Sequence, residues 1–224
     1  MSIRSKIKFL KEKLPANIKV VAVSKFRSAE DIMEAYGAGQ RIFGENRAQE
    51  LTAKKKILPD DIEWHFIGPL QSNKVKDIAP FVHTIQSVDS LKLLQEIDKQ
   101  AARQSRTIRV LLEIHIAEEK NKHGFLPEEC KDLLANENIQ DRFPRIRIGG
   151  LMGMATFTDD KEQVRKEFRS LYSLFGELKS SFFESSGDFT EVSMGMTGDY
   201  EIAISEGSTM VRIGSFIFAH PNSF

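Results

Sequence analysis

The stretch VVAVSKFRSAED, residues 20–31, runs apolar for four residues and then places Ser24 and Lys25 where the apolar run stops. A lysine amine attacks carbonyl carbon only as the free base, and with a reference pKa of about 10.4 about one in a few thousand is free at neutral pH. A confined, partly desolvated strand end, or nearby bases, raises that fraction by disfavouring the ammonium. Lys25 is therefore read as a nucleophile toward an aldehyde or ketone, held at the end of a first strand.

A second set of groups lies near the other end of the chain, in SMGMTGD (193–199) and RIGS (212–215). Ser193, Gly195, Thr197, Gly198, Gly214 and Ser215 offer hydroxyls and close-approaching backbone amides, which converge on phosphate without a fixed cation. The same glycines also suit tight turns, and the hydroxyls also suit helix caps. Asp199, read as the cap of the next helix, repels an anion placed directly over that terminus. The phosphate is accordingly expected on the two loops. Arg212 stands inside TMVRIGSFIF, read as a strand buried on both sides, where an unpaired charge costs several kcal/mol. It needs a partner, either a structural carboxylate or an atom of a ligand. An aldehyde that carries a phosphate fits the lysine and the loops together, and pyridoxal 5′-phosphate is such a molecule.

Other patterns carry less. His115 and His123 have no HExxH, CxxC or carboxylate cluster at ligand spacing beside them, so no metal is expected from that pair. His65 in EWHFIG is read as packing inside the fold. Cys130, with Leu126, Leu133 and Leu134, fits the buried face of a helix, and a single cysteine excludes an internal disulfide. Lys54-Lys55-Lys56 is read as a solvated helix face. There is no GxSxG or Walker A pattern.

The elements that must position Lys25 and the loops repeat one rhythm. Apolar, β-branched runs at 18–24, 41–45, 63–68, 82–88, 108–117, 146–154, 189–194 and 209–218 alternate with helical spacing at 28–38, 46–57, 72–79, 89–104, 126–136, 160–183 and 199–206, after an opening helix near 2–14. Ser28 followed by Asp31 resembles a capping box, Asp89 precedes an apolar helical face, Pro127 suits a first turn, and Gly207 follows Ile204. Strict alternation implies a parallel sheet, because each crossover helix returns the chain to start the next strand in the same direction. Eight units suggest an α/β fold of the closed (β/α)8 TIM-barrel type, with one extra N-terminal helix, as a single domain over residues 1–224. An open doubly wound sheet is disfavoured because the first turn, SKFRSAED, lacks glycine. In a barrel the chemistry belongs at the carboxyl ends of the strands, where Lys25, Asn46, Thr197, Gly214 and Ser215 fall.

Thirty-two basic residues balance thirty-two acidic ones, so bulk charge favours neither nucleic acid nor an anionic membrane. The N-terminus MSIRSKIKFLKEKLP has no signal-type apolar core or membrane-spanning run, so a cytoplasmic location is expected.

The segments VAVSK, FGEN with QE behind it, WHFIGPLQSNK, GLMGM and EVSMGMTGDYEIAISEGSTMVRIGSFIF, in this order, resemble the pyridoxal phosphate homeostasis protein family over almost the whole chain. The resemblance implies a single-domain barrel similar to the barrel half of alanine racemase. It implies that Lys25 forms an imine with pyridoxal 5′-phosphate. Ser193, Thr197, Gly214 and Ser215 would cradle the phosphate, Arg212 would face the pyridine nitrogen, and Asn46 would lie near the cofactor. It further implies a monomer that handles the cofactor in vitamin B6 and amino-acid homeostasis, with transfer to pyridoxal-dependent apo-enzymes as an extension. Arg47 stands where the family commonly has an aromatic residue, and FAH (218–220) where FG is usual, which bears on the rim. An arginine at the pyridine nitrogen makes a weaker electron sink than a carboxylate, and the chain ends just after the last strand. A non-catalytic carrier is therefore preferred over an amino-acid racemase using Lys25 with His65 or Tyr200, and over an aldolase acting on a phosphosugar.

Overall fold

The computed structural model describes residues 1–118, 123–136 and 138–219. Eight parallel strands follow one another in sequence order around a closed barrel: β1 (Lys19–Val23), β2 (Ile42–Glu45), β3 (Glu63–Phe66), β4 (Thr84–Val88), β5 (Ile108–Ile114), β6 (Ile146–Gly153), β7 (Glu191–Met196) and β8 (Met210–Ile213). Closure comes from β1 pairing with β8, in the register Val21 to Arg212 and Ala22 to Ile213. The strands are short apolar runs because both of their faces are covered, one by the lumen side chains and one by helices. All five residues of β4 are buried, polar Gln86 and Ser87 included.

The helices are α1 (Ile3–Lys13), α2 (Ala29–Gly37), α3 (Ala48–Lys55), α4 (Ser72–Ile78), α5 (Leu91–Arg103), α6 (Pro127–Asn136), α7 (Ile139–Arg142), α8 (Lys161–Phe182), α9 (Tyr200–Ser205) and α10 (Ser215–Phe218). α1 precedes the barrel and buries Ile3, Ile7 and Leu10, spaced to share one helical face, against α2 and α10. α8 does the same with Val164, Phe168, Leu171, Leu174, Phe175 and Leu178, and Phe175 stacks on Phe189 with ring centroids 4.9 Å apart. The Ser28 hydroxyl accepts the Asp31 amide at 3.2 Å and so caps α2. α6 opens on Pro127, and α9 stops ahead of Gly207.

Three local readings of the sequence need correction. The run 209–218 is not one strand: β8 ends at Ile213, and Ser215–Phe218 forms α10, burying Ile217 and Phe218. So short an apolar run has no periodicity by which to tell strand from helix. The start of α5 is capped by Ser90, whose hydroxyl accepts the Leu93 amide, and not by Asp89. α7 has no counterpart among the expected helices. Cys130 is fully buried in α6, and burial pushes its thiol up to about 12, the condition of an inert core residue.

Candidate functional site

At the end of β1, Ser24 is buried and Lys25 is exposed on a turn that Phe26 completes in the left-handed region, φ +62°. The expected desolvation of Lys25 is absent here. The strand ends two residues earlier, and the turn carries the side chain out to the rim. Left-handed backbone is uncommon for a phenylalanine and persists only when surrounding contacts hold it. Those contacts are explicit. The Ser24 hydroxyl donates to Glu45 Oε1 at 2.5 Å, Lys54 Nζ donates to the Ser24 carbonyl at 2.7 Å, and the Phe26 amide donates to Glu50 Oε1 at 2.7 Å. Lys54 also pairs with Glu45 and Glu50, each at 2.7 Å. Lys54 is thus buried and ion-paired, not part of a solvated face, because α3 lays it across the ends of β1 and β2. Burial raises the Glu45 pKa, while the hydrogen bonds from Lys54 and Ser24 hold it partly down. Arg47 places its guanidinium 5.0 Å from the Phe26 ring centroid and so covers the turn that presents Lys25.

Asn46 follows β2 directly. Its Oδ1 is buried with no hydrogen-bond partner, an acceptor that its surroundings leave open. A side chain on Gly68 would start 2.6 Å from Asn46 Cβ, so glycine there lets the β3 loop close against Asn46. Beside it, Asn46, Arg47, Pro69, Leu70, Gln71 and Lys74 border a cavity of about 300 Å³.

Arg212 faces the lumen near the end of β8. It is 4% exposed and donates to the Ser193 carbonyl at 2.8 Å, the Ser193 hydroxyl at 2.7 Å and the Gly153 carbonyl at 2.9 Å. Its direct protein partners are neutral oxygens, so neither a structural carboxylate nor a ligand is needed to satisfy these donors. Burial lowers its pKa to about 10, against the pull of Glu113 and Asp199, which leaves it charged at neutral pH. Ser193 is fully buried, and its hydroxyl donates a hydrogen bond to Gln86 Oε1 at 2.7 Å. β4 and β7 are not neighbours, so this bond crosses the barrel. Gln86 Nε2 continues to His65 Nδ1 at 2.8 Å. The structure therefore groups Ser193 with Arg212, Gln86 and His65 in an axial chain, apart from the other residues expected to cradle a phosphate.

Those others stay at the rim. Thr197 is half-buried, Gly198 exposed, Gly214 half-buried and Ser215 exposed at the first position of α10. Asp199 is at the start of α9, but its carboxylate turns back to accept the Met196 amide at 2.5 Å, and burial raises its pKa. Since Ala22 pairs with Ile213, Lys25 and Gly214–Ser215 leave adjacent strands at the same level. A Cβ on Gly214 would lie 3.2 Å from Val23 Cβ.

Sequence reasoning missed Glu113. It is 5% exposed in β5, and burial, with Asp89 adding to it, pushes its pKa up to about 7, against the pull of Arg212 and His123. A glutamate inside VLLEI is as anomalous as an arginine inside MVRIG, and that was the available signal. Of the two second bases considered, His65 is buried and driven to about 3, chiefly by desolvation, and the Tyr200 hydroxyl contacts Glu201 at an exposed position 3.5 Å away. Residues 119–122 of the loop after β5, and His220 of FAH, lie outside the described residues.

The family model described as alanine racemase, N-terminal domain, matches residues 1–221. A pyridoxal phosphate homeostasis protein from Pasteurella multocida is 41% identical over 206 residues, covering 90% of this chain and 85% of the relative. The chain belongs to the pyridoxal phosphate homeostasis protein family. Another member, from Aquifex aeolicus, is 39% identical over 89% of this chain and 86% of its own. The solved structure of PipY from Synechococcus elongatus superimposes with a TM-score of 0.91 without PLP (34% identity, 97% of this chain and 100% of that one) and 0.86 with PLP bound (33% identity, the same coverage). An alanine racemase from Clostridium difficile shares the fold at a TM-score of 0.75 and 18% identity, over 99% of this chain and 56% of that one. Among the described residues no helix is long and apolar enough to cross a membrane.

Proposed function

We propose that this protein binds pyridoxal 5′-phosphate reversibly at the carboxyl mouth of the barrel, on Lys25, and takes part in vitamin B6 and amino-acid homeostasis as a carrier. The observation that supports the reading is the strand register, which pairs the ends of β1 and β8, the strands that Lys25 and Gly214–Ser215 follow. The naming of its relatives and the PLP-bound PipY structure support it.

The residues present fit that group. The cofactor supplies an aldehyde that a lysine amine captures reversibly, and an anionic phosphate that fixes its position. Lys25 supplies the amine, on a turn whose geometry Glu45, Glu50 and Lys54 impose. Thr197, Gly198, Gly214 and Ser215 supply hydroxyls and unobstructed backbone at the rim. Asn46 supplies an unpaired acceptor. Arg212, held by Ser193 and Gly153, keeps its proton at neutral pH, so it would orient a ring nitrogen of a bound cofactor without acidifying it. Ser193 acts through Arg212. An exposed lysine at an open rim suits exchange of a cargo more than a reaction that must exclude water. His65, buried with its pKa driven to about 3, is a poor second base for racemisation. A monomer, a cytoplasmic location, one binding domain over residues 1–224 and delivery to pyridoxal-dependent apo-enzymes belong to the same reading.

The test is an absorbance titration with pyridoxal 5′-phosphate. The wild type is expected to develop a band near the visible edge that borohydride abolishes, and Lys25→Ala to develop none. A protein that takes up no cofactor would sink the reading. Enantiomer-scrambling deuterium exchange at Cα of amino acids, lost in Lys25→Ala, would instead make it a racemase.

A further inference from the structure

The amino-terminal mouth of the barrel gathers a second set of donors that the cofactor reading does not use. Glu63 opens β3, and His65, two residues on, faces the same side of the sheet. His83 immediately precedes β4, the neighbouring strand. One donor atom from each of the three lies within 4.8 Å of the other two. His83 Nδ1 bonds the Thr84 hydroxyl at 2.9 Å, and its Nε2 lies 3.8 Å from Glu63 Oε2. The two imidazole rings are near-parallel, with centroids 5.6 Å apart. His65 is 2% exposed, and its Nε2 has no hydrogen-bond partner. A buried nitrogen left unpaired costs free energy that an apolar core residue would not.

We propose that Glu63, His65 and His83 bind a divalent transition-metal ion of the zinc class. Two imidazoles and a carboxylate are the mixed nitrogen and oxygen donors that zinc accepts, whereas magnesium and calcium take oxygen shells. Bonds of about 2.0–2.2 Å set tetrahedral donors roughly 3.4 Å apart, so the three must draw together by up to about 1.4 Å. The side chains of Glu63 and His83 are 46% and 48% exposed, which gives them room to close on His65, and water completes the shell. Lys19 and Arg109 face the same end and oppose a cation, but Glu191 engages both, Arg109 at 3.7 Å.

An outer-shell partner stands beside His65. A histidine bound through Nε2 carries its proton on Nδ1 and donates it to an oxygen. Here that neighbour is Gln86, which now presents Nε2 to His65 Nδ1 and to Met210 Sδ. A half-turn of the Gln86 amide would present Oε1 to His65 Nδ1, at the cost of the hydrogen bond that the Ser193 hydroxyl now donates to Oε1.

The test uses untagged, chelator-treated protein without cofactor, titrated with Co²⁺ and then Zn²⁺. One equivalent of Co²⁺ is expected to produce saturable visible ligand-field bands that Zn²⁺ abolishes. His83→Ala and Glu63→Gln change half-exposed side chains, and their fold is checked by circular dichroism. Each is expected to weaken Co²⁺ binding roughly tenfold or more. A folded wild type without a saturable band overturns the proposal, as does unchanged affinity in both variants. Pyridoxal phosphate enters neither readout, so failure here leaves the proposed function standing.

Discussion

Glu113 and Arg212 are charges inside strands that are otherwise apolar, and each is felt by the other across the lumen. Their burial makes a pH prediction. Glu113 titrates at about 7 in the folded protein, against an ordinary 4.5. Between those values the folded state holds the proton more tightly than the unfolded chain, so stability falls as pH rises through the window and is level above it. Glu113→Gln removes that loss. Its stability relative to wild type should therefore rise by up to roughly 3 kcal/mol between pH 4 and pH 8, read from urea unfolding at each pH. A difference that stays constant with pH would remove the buried carboxylate from the account. At this scale the sequence was half legible. Arg212 stands out because it breaks an apolar run near a glycine-rich loop. Glu113 breaks one equally, at the same penultimate position in β5 that Arg212 holds in β8, but no glycine-rich loop follows it to draw attention. Lys54 was legible only as one of three lysines, since its burial depends on β2 bringing Glu45 beneath α3.

The alternation of strands and helices could be read because each strand is covered on both faces and each helix on one, which writes different periods into the sequence. The Ser28 cap then marked the start of α2. What could not be read were pieces too short to have a period, α7 and α10, and contacts made between elements. The clamp under the Lys25 turn is of the second kind, joining the ends of β1 and β2 to α3. Lys54→Met removes the cation between two carboxylates and leaves Glu45 buried with only the Ser24 hydroxyl against Oε1. Breaking a buried pair on one side costs about 3–5 kcal/mol. Denaturant unfolding should show a loss of that order, and pairing the change with Glu45→Gln should recover part of it. Because the Phe26 amide and the Ser24 carbonyl are held by the same groups, cofactor uptake at Lys25 should weaken even under conditions where the variant stays folded. Unimpaired uptake in folded Lys54→Met would confine the clamp to stability.

A closed barrel has no free edge, and its first and last strands are neighbours, so a ligand that touches both should stabilise the whole ring. Lys25 follows β1, while Gly214 and Ser215 follow β8, the pair that closes the structure. A molecule bound only to the folded state at a hundred times its dissociation constant adds about 2.7 kcal/mol. Trp64, the one tryptophan of the sequence, is 1% exposed on β3 and packs on Phe43 at 6.0 Å between ring centroids. β3 is two strands from β1 and three from β8 in the ring, so Trp64 reports unfolding away from the seam where β1 meets β8. With saturating pyridoxal phosphate the urea midpoint should rise equally by circular dichroism and by the Trp64 emission wavelength, which is preferable to intensity because the cofactor absorbs nearby. In Lys25→Ala most of that rise should vanish. An undiminished rise in the variant would place the cofactor away from Lys25. A rise seen by circular dichroism but not by Trp64 would mean that stability gained where β1 meets β8 does not spread around the ring.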